Sequence, residues 1–265
     1  MAARWYDAVP FWGAAVGTVA VFALLVEVGF WVARTRHKVH TAQSANESDY
    51  VFALIGALLT LVALLLGFSF TIVDERFAQR KLLVLEEANA IGTTYLRAGT
   101  LPDPHGERVR QLLKRYVDLR SPAGEEELRT NLARSARLHV ELWMEAEAAA
   151  AEMPGPIVSL FLASLNHMID LHQERLTVAI YYRLPSAIFG CLYLVSMLTM
   201  LFLGYSAAYK SKRTLLPTAT VVTAISIALL LLFMLDRPGQ HLIDVNKQAL
   251  DDVRQTMATW PPQKR

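Results

Sequence analysis

Four stretches of the chain stay apolar for longer than the helices of a soluble core do: Phe11 to Ala33, Val51 to Val73, Leu184 to Tyr209 and Leu216 to Leu235. A hydrocarbon layer about 30 Å thick needs about 20 helical residues, so each stretch can cross a bilayer. A soluble alternative would have to wrap four all-round apolar helices with too little polar chain. The pattern therefore predicts an all-α membrane protein. Residues 1–73 carry the first two crossings, 74–183 a helical extramembrane domain, 184–235 the last two crossings, and 236–265 a C-terminal segment with a short helix. The first stretch lacks the basic n-region and cleavage site of a signal peptide and is longer than an h-region, so it is expected to remain as a helix.

The second crossing runs without a stop into Asp74-Glu75-Arg76-Phe77, and Phe77, Val84, Ala88, Ile91 and Tyr95 continue at helical spacing. One long helix is expected to about Ala98, ended by Gly99 and the Pro102 to Gly106 run. A second domain helix over about Glu107 to Leu119 places Val109, Leu112, Leu113, Tyr116 and Val117 on one side. Ser121-Pro122 followed by Glu125, Glu126 and Glu127 reads as the start of a third, which runs to about Met153. Pro154-Gly155-Pro156 breaks it. A fourth helix from Ile157 is expected to lead straight into the third crossing, with Pro185 as a kink. After Asp236-Arg237-Pro238-Gly239, a short extended piece from Leu242 to Val245 precedes a last helix capped by Asn246.

Composition changes this picture little. The formal charge of +2 is too small, and the basic residues too scattered, for a nucleic-acid partner. The single cysteine, Cys191, excludes an intrachain disulfide and reads as a small apolar filler within the third crossing. Arg34, Arg36 and Lys38 follow the first crossing, and Lys210, Lys212 and Arg213 fill the short third connection. Both loops read as cytoplasmic, which places the helical domain outside the cytoplasm of a bacterial inner membrane.

Candidate chemistry gathers where charge meets membrane. By parity, Asp74, Glu75, Arg76, Arg183, Asp236 and Arg237 lie at one membrane face. They form either a set of interfacial ion pairs or a vestibule whose charges select ions. Glu27 lies inside the first crossing, where it either snorkels and pairs near the basic end or handles a proton or cation. Along the second crossing Gly56, Thr60, Ala63, Gly67, Thr71 and Asp74 share one face. Such a row either packs tightly against a neighbouring helix or lines a narrow pore in an oligomer, with Phe68 or Phe70 as a constriction. His167, Asp170, His172 and Glu174 form the nearest thing to a metal cluster, but His167 and His172 are five residues apart, so they point from different helix faces. A solvated helix surface is expected there, without a metal. No phosphate loop, nucleophile elbow or histidine with a catalytic context is present, so neither an enzyme nor a cofactor is expected.

The run Gly67-Phe68-Ser69-Phe70, then Arg76-Phe77, Arg80 and Glu87-Ala88-Asn89-Ala90-Ile91-Gly92-Thr93-Thr94-Tyr95-Leu96-Arg97, resembles the bacterial bestrophin-like membrane family, a domain of unknown function. Tyr116-Val117 with Arg120, Asn166 with Ile169-Asp170, and Leu235-Asp236-Arg237-Pro238 extend the resemblance over most of the chain. The family is distantly related to bestrophins, pentameric anion channels with four crossings per subunit. The resemblance implies a homo-oligomer, a pentamer by that analogy alone, with inorganic ions as cargo and the second crossing as the first candidate to line a pore. It also implies a cytoplasmic helical domain, opposite to the loop-charge reading. The segment after Pro238 departs from the family pattern, with Gly239-Gln240-His241 in place of a large residue before a glycine.

Overall fold

The computed structural model describes residues 10–37, 44–120, 125–180, 182, 184–209, 215–236 and 247–260. Among them the chain forms eight helices and no strand: α1 (Phe11–His37), α2 (Ser44–Ala98), α3 (His105–Leu119), α4 (Glu125–Glu152), α5 (Pro156–Ile180), α6 (Ser186–Ala207), α7 (Leu215–Asp236) and α8 (Gln248–Thr259). Four of these, α1, α2, α6 and α7, are long and apolar enough to cross a membrane. α2 runs unbroken for 55 residues. Its sequence contains no proline, so no backbone N–H is missing from the helical ladder along its length.

The chain divides into two compact units, one of residues 1–75 with 184–237 and one of 76–183 with 238–265. In the first, α1 packs along α6 and α7, and α6 against α7. The α1/α6 crossing is close enough to exclude side chains. A Cβ at Gly29 would overlap the Leu201 carbonyl, and a Cβ at Gly204 would overlap the Val26 carbonyl. Two backbones in van der Waals contact gain dispersion energy that lipid tails cannot match, which is how small residues join helices in a bilayer. Thr18 Oγ1 and Tyr193 Oη are 2.8 Å apart across the same pair of helices. Trp12 and Trp31 are strongly exposed on α1. They lie nineteen residues apart, about 28 Å of helix, which matches the spacing of the two interfacial aromatic belts.

Pro185 does not kink a continuous helix. α5 ends at Ile180 and α6 begins at Ser186, with Pro185 in an extended conformation at the cap position (φ −54°, ψ 131°). The pyrrolidine ring disfavours helical geometry in the residue before it, so a proline placed between two helices starts the second.

In the second unit, α3 packs on α4, α4 on α5 and α3 on α8, and the part of α2 beyond Glu75 supplies Val84, Ala88, Ile91 and Tyr95 to a shared core with Leu113, Leu142, Phe161 and Leu165. Phe77 and Leu112, expected in the apolar stripes, are only half-buried. Side chains on α2 also reach the backbone of α5: Thr94 Oγ1 donates to the Ser164 carbonyl at 3.1 Å and Arg97 Nη1 to that of Leu160 at 2.7 Å. α8 carries Lys247 at its cap position. Asn246 and the 242–245 piece lie outside the described residues, as do Ser121, Pro122, Lys38, Lys210, Lys212 and Arg213.

Candidate functional site

The small-residue row of α2 is presented outward. Gly56, Thr60, Ala63, Gly67 and Thr71 are all exposed, as are Phe68 and Phe70, while Val51, Ile55, Val62, Ser69 and Val73 are buried on another side of the helix. A Cβ at Gly56 or Gly67 would meet nothing within 4 Å. The row is therefore not the tight seam of the subunit, which lies at Gly29 and Gly204. Thr60 Oγ1 donates to the Gly56 carbonyl at 2.9 Å and Thr71 Oγ1 to that of Gly67 at 3.1 Å. Each hydroxyl spends its proton within the helix and turns oxygen lone pairs outward, so the face can accept hydrogen bonds from water without leaving a donor unsatisfied.

The charges at the end of this row separate by burial. Asp74 and Glu75 are exposed and Arg76 is half-buried, whereas Asp236 is 8% exposed. Asp236 Oδ1 accepts a hydrogen bond of 2.7 Å from the backbone N–H of Leu184, tying the end of α7 to the entry of α6. Arg183 and Arg237 lie outside the described residues. Asp236→Ala is expected to cost about 1–3 kcal/mol, since it orphans a buried N–H. Asp236→Asn, which keeps an acceptor, should cost less, and thermal melts in detergent measure both. Glu27 is on the exposed side of α1, one turn before Trp31, about 6 Å along the axis.

The densest arrangement of charge is one that sequence reading did not bring together. Glu87 of α2, with no exposed surface, is held by side chains from α3 and α5. Arg120 sets its Nε 2.7 Å from Oε1 and donates from Nη2 to Oε2 at 3.1 Å, and Arg175 Nη1 donates to Oε2 at 2.5 Å. Tyr116 Oη donates to Oε1 at 2.9 Å. That leaves the phenolic oxygen to accept from His172 Nδ1, 3.1 Å away, and assigns the Nδ1–H form to His172. The His139 ring of α4 stands edge-on to His172 with centroids 4.7 Å apart. Burial by itself would raise the Glu87 carboxyl, but His172 and the two guanidinium groups outweigh it and hold the carboxyl well below the usual carboxylate range.

His172 is thus buried, contrary to the solvated surface expected for it, because it faces Glu87 and Tyr116. His167, Asp170 and Glu174 are exposed as expected. Among the described residues no group of histidine, cysteine and carboxylate side chains is placed to hold a metal. A signal for the cluster does exist in the sequence. Glu87 falls three residues after Val84 and four before Ile91, and Arg120 falls four after Tyr116, so both occupy apolar-stripe positions where a charge must find a partner.

Four membrane-competent helices, a second unit of residues 76–183 and 238–265 that is helical among the described residues, and a small-residue face turned outward define a polytopic helical membrane protein of the four-span class. The family model for the bestrophin-like domain matches residues 20–250, and the chain belongs to the bestrophin-like family. No curated protein and no solved structure matches it significantly.

Proposed function

We propose that the chain is a subunit of a homo-oligomeric ion channel in which α2 lines the pore through Gly56, Thr60, Ala63, Gly67 and Thr71, narrowed by Phe68 or Phe70. The supporting observation is that this row is exposed along the membrane-spanning part of α2 while close helix packing within the subunit occurs elsewhere. A lone subunit would turn small, weakly polar residues toward lipid for no packing gain. In a ring they hydrate a path. A pentamer follows only by analogy with bestrophins. The short basic loops favour a bacterial inner membrane with the helical unit outside the cytoplasm, and cysteines placed at exposed positions of α4 should then react with impermeant thiol reagents in intact cells.

Asp74 and Glu75 are exposed charges at one end of the row, and carboxylates at a pore mouth concentrate cations. In liposomes under a salt gradient the purified protein should pass ions. Asp74→Asn with Glu75→Gln is expected to move the reversal potential toward the anion limit. Gly67→Leu is expected to lower conductance by about tenfold or more. No flux under gradients of either sign, together with a monomer by native mass measurement, removes this reading.

A second reading, a non-conducting sensor or scaffold, draws on the α3/α4 surface. Val140 and Met144 are 60% and 63% exposed, and Met144 borders a groove of about 310 Å³ lined also by Arg108, Arg115, Glu141 and Glu145. Recovery of one defined protein crosslinked through position 144 in native membranes, with no flux from the purified chain, would favour it.

A further inference from the structure

We propose that His139 and His172 form an acid-sensitive latch that holds α4 and α5 against α2 and α3, and that protonation of the two imidazoles releases it. The geometry carries this. The titratable and charged groups facing the two rings are Glu87 from α2, Tyr116 from α3, Arg120 at the C-terminal cap of α3, and Arg175 from α5. Their formal charges are one negative and two positive, and the single carboxylate is already engaged by both guanidinium groups and the phenol. Glu87 Oε1 is 3.7 Å from His172 Nδ1, and the nearer oxygen to that nitrogen is the Tyr116 hydroxyl. His139 Nε2 is buried with no hydrogen-bond partner among the described residues. A proton added to either ring therefore brings a third positive charge into a buried site with no unshared anion to receive it.

The direction of titration agrees. Burial, reinforced by His172 and Arg120, lowers His139 to about 4, and burial lowers His172 as well, against the pull of Glu87. In the opened unit both rings return to an ordinary value of about 6.5. Between those values the opened state binds more protons than the closed one. The latch is therefore fully closed above about pH 6.5 and loses stability as pH falls toward 4. The Glu87 carboxyl adds its own loss only below about pH 4.5, so the window from 6.5 to 5 belongs to the imidazoles. His139 alone raises the opening equilibrium by up to roughly 30-fold between pH 8 and pH 5.

The test is hydrogen–deuterium exchange on the full chain in nanodiscs at pH 8, 6 and 5, with rates corrected for the intrinsic pH dependence. Its readout does not require conduction, so it is independent of the channel proposal. Amides within residues 135–146 and 168–176 are expected to lose protection at pH 5 and regain it at pH 8. His139→Phe combined with His172→Asn keeps an aromatic ring against Tyr116 and a donor near its hydroxyl. That variant should match the wild type at pH 8 and lose most of the acid response. Equal protection of the wild type at pH 8 and pH 5 overturns the proposal, as does an unchanged acid response in the double variant. If the double variant does not fold, His139→Phe alone decides, since it removes no hydrogen bond: its acid response should fall at least fivefold, and an undiminished response overturns the latch.

Discussion

Glu87→Gln is expected to lower the temperature at which the helical unit loses amide protection by about 10 °C or more, from a loss on the order of 3–5 kcal/mol. The side chain of Arg120 is 4% exposed and that of Glu87 is fully buried. Removing the carboxylate charge leaves Arg120 and Arg175 facing one another in a medium that solvates neither well. Breaking one half of a buried pair is costly for this reason, even where the intact pair contributes little over an apolar replacement. Arg175→Gln should cost distinctly less, because Arg175 retains 18% of its side-chain surface in solvent and Arg120 still neutralises Glu87. Heating with exchange detected by mass spectrometry measures both. A midpoint for Glu87→Gln within about 2 °C of the wild type would show that the cluster does not hold the unit together.

The second large effect separates two kinds of membrane glycine. Gly204→Ala places a methyl group where the Val26 carbonyl stands, and Gly29→Ala does the same at the Leu201 carbonyl. Backbone cannot swing aside as a side chain can, so α1 and α6 must move apart. A cost of about 1–3 kcal/mol is expected for alanine, and more for valine, together with loss of monodisperse protein in detergent. Gly56→Ala and Gly67→Ala meet no neighbour in the subunit and should change its stability by less than about 0.5 kcal/mol. Their effects should surface in subunit assembly or conductance, read by native mass measurement and liposome flux. Equal destabilisation by Gly67→Ala and Gly204→Ala would mean that the α2 row is packed within the subunit, and the pore proposal would lose its support.

Several particular residues mark the line between what is local and what is not. The four crossings were legible because bilayer thickness turns a three-dimensional question into a run length, and Phe11 to Ala33 or Leu216 to Leu235 answers it one residue at a time. The α2 helix continuing past Asp74 was legible too, since Val84, Ala88, Ile91 and Tyr95 keep a helical period. The family was legible in the motif around Glu87 to Gly92 and in the Asp236-Arg237-Pro238 turn. Pro185 was misread as a kink, because the same proline bends one helix or starts another according to where its neighbours allow the chain to go.

Other assignments waited on which surfaces meet. Gly56 and Gly67 have the spacing of a packing seam, yet the close backbone approach formed at Gly29 and Gly204. His172 looked like one of several polar residues on a solvated helix. It became a buried ring only when α3 brought Tyr116 to it and α2 brought Glu87. Asp236 was legible only as one of a belt of charges that either pair at the interface or line a vestibule, and its hydrogen bond from the Leu184 N–H appears only in the packed helices. By itself the sequence determined how many helices are long and apolar enough to cross a membrane, because burial of backbone polar groups in lipid is satisfied within each helix. Only the tertiary structure decided which charge meets which and which small residues touch. Those contacts join positions from 29 to 178 residues apart, and no local pattern encodes the approach of two helix faces.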